Sequence, residues 1–159
     1  MLNKPVTADC IHYILSSHFV RGHSKKFHKW MVLREDFSAT SDYSRGATHM
    51  LMWLILHIES SEQEVTEYIL SDVEHFFDKY GRANAFEIEL LTVLKKVILE
   101  KANNQKEMFQ EFELKWDVEA RVNKSVFAAD EMMFWIKSRI MGESMAAMLA
   151  KGLKPYYAE

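Results

Sequence analysis

The chain has 159 residues, 48% of them hydrophobic, which allows one domain with a sizeable core and excludes a disordered chain. Its single cysteine, Cys10, excludes an internal disulfide, and the N-terminus lacks the basic and apolar stretches of a secretory signal. The most apolar run, residues 50–58, is far shorter than the roughly 20 residues that span a membrane. We therefore expect one domain, 1–159, in the cytoplasm and without membrane contact.

Proline and glycine are placed as in a helical protein. Pro5 and Pro155 lie near the two ends, so no proline interrupts a helix between them. The five glycines are too few for the turns of a strand-rich protein. Together with apolar side chains at steps of three and four residues, this predicts an all-α bundle of six or seven helices. We expect an irregular or globin-like arrangement rather than a regular four-helix bundle.

In chain order, the first predicted helices cover residues 7–20, 24–37 and 45–59, with a polar connector over 38–44. The third of these is short and very apolar. The spacing of apolar residues predicts the following inward-facing side chains in the first two helices: Ile11, Ile14, Leu15, Phe27, Trp30 and Met31.

The next helix is predicted over 62–80, where Ser61 and Glu64 form a capping box and Gly81 supplies a stop. Further start signals, Asn followed three residues later by Glu, occur at positions 84 and 104. The apolar stripe of the 62–80 helix is Val65, Ile69, Val73, Phe76, Phe77 and Tyr80, and the first five of these residues are expected to be buried.

The last predicted helix covers 125–151 and ends before Gly152. It is apolar on more than one side, so it is expected to lie centrally or to be shared with a partner. Methionines, which adapt to irregular surfaces, and small residues that allow close helix approach are concentrated here. The predicted interaction or ligand surface is Met141, Gly142, Met145, Ala146, Met148 and Ala150. Within it, Gly142, Ala146 and Ala150 form a row of small residues four apart. Internal packing and a dimer contact both fit this row.

The histidines do not have metal-site spacing. His12, His18, His23 and His28 are not separated by three or four residues, so we expect scattered, partly exposed side chains and no metal. Asp72 and His75 are three apart, but the second copy that a diiron bundle needs is missing. Candidate haem or ligand residues on apolar helices are His49, His57 and His75.

Charge is unevenly distributed along the chain. Residues 1–35 carry six Lys/Arg against two Asp/Glu, whereas residues 36–80 carry two against nine. The basic patch of Arg21, Lys25, Lys26 and Lys29 is interleaved with aromatic residues, a composition that suits phosphate contacts. The patch is short and the protein is acidic overall, so a solvated turn is the favoured interpretation and nucleic acid is not an expected partner.

No phosphate loop, nucleophile elbow or metalloprotease motif occurs, so no catalytic residue and no cofactor is assigned. The favoured hypothesis is a non-enzymatic regulatory or adaptor module that binds a protein partner or forms a homodimer. One alternative is a globin-like sensor that encloses an apolar small molecule or haem. Another is an enzyme whose acid and base residues are dispersed along the chain.

Overall fold

A computed structural model shows an all-α protein, as the sequence predicts. It describes residues 4–35, 43–60, 63–80, 83–100, 103–122 and 128–153. Within these ranges there is no strand. The described helices are α1 (Lys4–Val20), α2 (Ser24–Glu35), α3 (Tyr43–Ser60), α4 (Gln63–Tyr80), α5 (Ala85–Leu99), α6 (Gln105–Val122), α7 (Ala129–Met141) and α8 (Met145–Ala150). The described residues thus hold eight helices rather than six or seven.

The local start signals explain most of these bounds. At α5 the predicted capping box is confirmed, because the Asn84 side chain accepts from the Glu87 N–H at 2.9 Å and the Glu87 carboxylate accepts from the Asn84 N–H at 3.0 Å. Helix α1 begins earlier than predicted and contains Pro5 in its first turn, where the missing N–H breaks no helical bond. The capping box at Ser61 and the stop at Gly81 lie outside the described residues.

The prediction of one helix over 125–151 is wrong. Gly142 adopts a left-handed conformation, with φ of 69°, and ends α7. The Glu143 N–H then donates to the Ser138 carbonyl at 3.0 Å, and Ser144 starts α8 by accepting from the Ala147 N–H at 3.1 Å. Glycine reaches this conformation without a Cβ clash, so the helix can end here. The apolar pattern continues across the break and therefore does not reveal it.

Helix α3 lies at the centre of the fold, since it packs against α1, α2, α4 and α5. This explains why its sequence is apolar on several sides; its buried residues include Leu51, Met52, Leu54, Ile55 and Leu56. Helix α7 packs against α1, α6 and α8 and buries most of its apolar residues, whereas Met141 at its end is exposed. The central position expected for the last helix therefore belongs to α3, and α7 connects the N-terminal helices to the C-terminal ones.

Helix α4 buries a face slightly different from the predicted stripe. Ile69, Val73 and Phe77 are buried as predicted, but Phe76 is only partly buried and Val65 is 40% exposed. Thr66 is buried in its place, and its hydroxyl donates to the His57 carbonyl at 3.1 Å. This hydrogen bond removes the cost of burying a polar group. The prediction for Val65 was wrong because a threonine whose hydroxyl is hydrogen-bonded can be buried, which the spacing of apolar residues does not predict.

None of the described helices is long and apolar enough to cross a membrane.

Candidate functional site

A buried polar cluster joins helices α1, α3 and α7. His12 and Ser16 are four residues apart and therefore share one face of α1. The His12 Nδ1 lies 3.1 Å from the Nε2 of His49 on α3, and the Ser16 hydroxyl donates to Glu131 Oε1 on α7 at 2.8 Å. All four residues are buried. We call this set the polar cluster.

The donor and the acceptor of each hydrogen bond in the polar cluster can be assigned. Since the Ser16 hydroxyl donates its proton to Glu131, its oxygen can accept from the His12 Nε2, which lies 3.3 Å away. The His12 Nδ1 is then an acceptor, so the His49 Nε2 carries the proton that it donates. This assignment of ring protons follows from the network, and it makes the His12 imidazole neutral, because its Nδ1 carries no proton.

The surroundings of His12 favour the same neutral state. Burial, followed by the positive charge of Arg45, lowers the pKa of His12 to about 4, and the smaller effect of Asp9 opposes them. Arg45 is itself paired with Asp9 at 2.6 Å. At pH 7 the His12 ring is therefore uncharged, and its Nε2, 3.8 Å from Glu131 Oε1, does not form an ion pair.

Serine, histidine and carboxylate are the ingredients of nucleophilic catalysis, but here their arrangement does not suit it. The Ser16 hydroxyl donates to the carboxylate rather than to a histidine base, and it is buried on the interior face of a helix. Within the described part of the chain, no group of three His, Cys, Asp or Glu side chains has the geometry of a metal site. The hydrogen bonds of the polar cluster link α1 to α3 and α1 to α7.

The sequence analysis missed this cluster. The expectation that His12 is one of several scattered, partly exposed histidines was wrong, because its ring is buried and contacts His49. The available signal was the spacing of His12 and Ser16, which places both beside Ile11 and Leu15 on the inward face of α1. Their partners lie 37 and 115 residues further along the chain, and periodicity carries no information on such pairs.

A second feature is a groove on the surface formed by α6, α7 and α8. Its volume is about 310 Å³. Helix α7 contributes most of the lining, while α6 and the α8 end of the chain supply the two sides. The lining residues are Glu113, Met133, Phe134, Lys137, Ile140, Met141, Met148 and Leu153. We call this the methionine groove, since three of the eight side chains are methionines.

The methionine groove is electrically balanced at its polar edge. Lys137 on α7 and Glu113 on α6 lie 3.7 Å apart and neutralise each other. Met141 and Leu153 at the groove remain exposed, with 53% and 42% of their surfaces accessible. An occupant would therefore meet an apolar, uncharged and adaptable surface.

The structure divides the predicted interaction surface into two faces. Met141 and Met148 line the methionine groove, and Met145 is buried against the core. Gly142, Ala146 and Ala150 are exposed, but Ala146 and Ala150 are each two residues from Met148 on α8 and point to nearly the opposite side. The row of small residues is therefore separate from the groove.

The three histidines considered for haem or ligand binding lie in different surroundings. His49 belongs to the polar cluster, and His57 packs edge-on against Trp53, with ring centroids 4.4 Å apart. His75 is exposed on α4, as is Asp72. The structure assigns each ring a different environment rather than a common pocket.

The predicted basic patch lies at the corner between α1 and α2. Arg21 is in the turn, and Lys25, Lys26 and Lys29 are exposed on α2. As predicted, two aromatic residues next to these lysines turn inward: Phe27 is buried and Trp30 is partly buried.

Comparisons of the chain with protein-family models, with curated proteins and with solved structures find no match.

Proposed function

We propose that this protein is a non-enzymatic regulatory or adaptor module, and that its methionine groove binds an amphipathic helix of a protein partner. The observation that carries the proposal is the groove itself: a largely apolar surface without net charge, lined by three methionines, of which Met141 is exposed while Met133 and Met148 are buried at its base. Amphipathic helices of partner proteins are commonly recognised by insertion of their apolar side chains into a hydrophobic groove.

The size of the groove supports a segment of protein as the occupant. A volume of about 310 Å³ lies at the lower limit of sites that enclose whole small molecules, which range over roughly 300–1,000 Å³. It is sufficient for a few apolar side chains presented by one face of a helix. The remaining surface of such a helix would stay in water, where its polar residues belong.

The exposed side chains at the groove support the same occupant. Met141 and Leu153 are large apolar residues left in contact with water, and burying them gives a favourable free energy of association. The Glu113–Lys137 pair leaves no net charge to be desolvated alone. Methionine side chains also accommodate partners of different shape, which suits an adaptor.

The polar cluster supports a non-enzymatic role. Its acid and base residues are the described groups that most resemble catalytic machinery, but they are buried and hydrogen-bonded to one another. A substrate would have to displace packed helices to reach Ser16. This arrangement fits a structural role, whereas the methionine groove is accessible as it stands.

The proposal is tested with a library of three-turn amphipathic peptides and protein labelled with ¹³C at its methionine methyl groups. We expect selected peptides to shift the resonances of Met133, Met141 and Met148. The variant Met141→Arg should weaken binding by about tenfold or more, because a charge would enter an apolar contact. The matched control is Leu99→Arg, since Leu99 on α5 is 50% exposed and lies outside the groove.

Two results would contradict the proposal: peptides that bind equally well to Met141→Arg, or methyl shifts away from α7 and α8. Native mass spectrometry distinguishes the alternative function. An apolar small molecule retained by the purified protein, and lost in Met141→Arg, would make the groove the site of a ligand sensor.

A further inference from the structure

The corner between α1 and α2 concentrates positive charge. Arg21 and His23 lie in the turn, and Lys25, Lys26 and Lys29 follow on the exposed side of α2. Lys29 is four residues from Lys25 and three from Lys26, so the three ammonium groups share one helix face. We call these five residues, together with His18 at the end of α1, the basic corner.

Among the side chains that the structure describes, the cations of the basic corner lack the carboxylate partners that most Lys and Arg residues outside it have. Among the described residues, none of Arg21, Lys25, Lys26 and Lys29 forms an ion pair; the Arg21 guanidinium donates instead to the Ser17 carbonyl and hydroxyl. Six Lys or Arg ion pairs occur outside the corner among the described side chains: Arg45–Asp9, Lys95–Glu74, Lys115–Glu89, Lys137–Glu113, Arg139–Glu59 and Lys151–Glu143. Within this part of the chain, no carboxylate pairs directly with the positive charges of the corner.

This concentration of charge works against the stability of the fold. Like charges three and four residues apart on a helix repel one another. The effect reaches His18, whose pKa is lowered first by burial and then by the charges of His23, Lys26 and Arg21. The His18 and His23 rings lie 5.8 Å apart, so His23 acts on His18 at short range. A bound anion would relieve all of these repulsions together.

The donors of the basic corner match the chemistry of phosphate. A guanidinium, two imidazoles and three ammonium groups lie within residues 18–29, and all can donate to phosphate oxygens. The first turn of α2 contains no acidic residue, and His23 precedes it. The partial positive charge of this helix terminus adds to the field of the side chains.

We propose that the basic corner is a binding site for a phosphate-bearing anion, with Lys25 and Lys26 as its principal cations and His18 and His23 completing its inner side. Lys29, one turn further along α2, is placed for a second phosphate group. The site lies on α1 and α2 and is independent of the methionine groove, so either proposal can fail without the other.

The test uses inorganic pyrophosphate as the probe, titrated into the full chain at low ionic strength and followed by calorimetry. We expect saturable binding to one site, weakened by about tenfold or more in the double variant Lys25→Gln, Lys26→Gln. The matched control is Lys96→Gln, Lys106→Gln, which removes the same charge from two exposed lysines of α5 and α6. Affinity within about twofold of the wild type is expected for this control.

Histidine NMR locates the binding. Pyrophosphate at the corner should raise the pKa of His18, because a nearby negative charge favours the imidazolium, and it should shift the ring resonances of His23. The ring resonances of His75, exposed on α4, should not shift. Equal weakening in the two double variants would overturn the proposal, because it would show attraction to net charge alone.

A lipid headgroup offers the same phosphate chemistry as a free anion, and sedimentation with vesicles distinguishes the two sources. Binding to phosphatidic acid vesicles that is lost in the Lys25→Gln, Lys26→Gln variant, and is absent with phosphatidylcholine vesicles, would assign the corner to a lipid phosphate. Saturable pyrophosphate binding without vesicle binding would assign it to a soluble phosphate. If neither probe binds the wild type, the proposal is wrong.

Discussion

The polar cluster and the methionine groove each join three helices, and helix α7 contributes to both. Glu131, in the first turn of α7, enters the polar cluster, whereas five residues between Met133 and Met141 line the groove on the other side of the helix. The cluster consists of buried polar groups that hydrogen-bond to one another. The groove has apolar groups in contact with water, and Met141 at its edge is 53% exposed. The first arrangement is suited to holding a fold together, and the second to binding.

This comparison predicts a large difference in stability between two glutamates. Glu131→Ala should lower the free energy of unfolding by roughly 2–4 kcal/mol, because it leaves a cavity and removes the acceptor of the buried Ser16 hydroxyl. Glu113→Ala, at the edge of the groove, should cost about 1 kcal/mol or less, since its ion pair with Lys137 is partly exposed. Urea denaturation measures both. Similar losses would show that the cluster does not have the structural role given to it here.

The next largest effect is the dependence of stability on pH. His12 has a pKa of about 4 in the folded state against 6.5 when unfolded, so the unfolded chain binds more protons between these values. The stability that the neutral His12 contributes is fully present above pH 6.5 and is lost as the pH falls toward 4. Since each pKa unit corresponds to about 1.4 kcal/mol, the loss is at most about 3.5 kcal/mol.

The variant His12→Gln isolates this contribution. It has no titrating group at position 12, so its stability should fall less than that of the wild type between pH 7 and pH 4. Other groups, including His18, whose pKa is also lowered, act equally in both proteins. Parallel stability curves would show that His12 is not held neutral by its surroundings.

A double-mutant cycle sharpens the description of the groove edge. Coupling between Glu113 and Lys137 should be about 0.2–1 kcal/mol, the range of partly exposed ion pairs. It is obtained from the unfolding free energies of both single alanine variants and the double variant. Coupling of several kcal/mol would mean that the pair is shielded from water, and the groove would then be less accessible than described.

The smallest effect is expected for Ala146→Glu on α8. Ala146 is exposed on the side of α8 opposite Met148, so the unfolding free energy should change by less than about 0.5 kcal/mol. Sedimentation at high concentration then tests the homodimer hypothesis. A wild-type dimer that becomes a folded monomer in this variant would place the dimer contact on the row of small residues. Unfolding of the variant would show that the row is internal.

Prediction from sequence succeeded where the signal is local. The Asn84–Glu87 capping box was readable because both of its hydrogen bonds join residues three apart. It failed at Val65 and within 125–151 for a different reason in each case. Thr66 is buried in place of Val65 because its hydroxyl donates to the His57 carbonyl of α3. Gly142 ends α7 by adopting a left-handed conformation, which the spacing of apolar residues does not reveal.

The sequence by itself determined that the chain is helical, where most helices begin, and that Arg21, Lys25, Lys26 and Lys29 lie together. These properties depend on dihedral preference, capping and neighbours within one or two turns. The tertiary structure decided that His12 meets His49 and that Ser16 meets Glu131, and it divided the C-terminal methionines and small residues between a groove and an outer face. Such pairings depend on how helices pack at long separation in the chain, where the entire set of contacts, rather than any one spacing, selects the arrangement of lowest free energy.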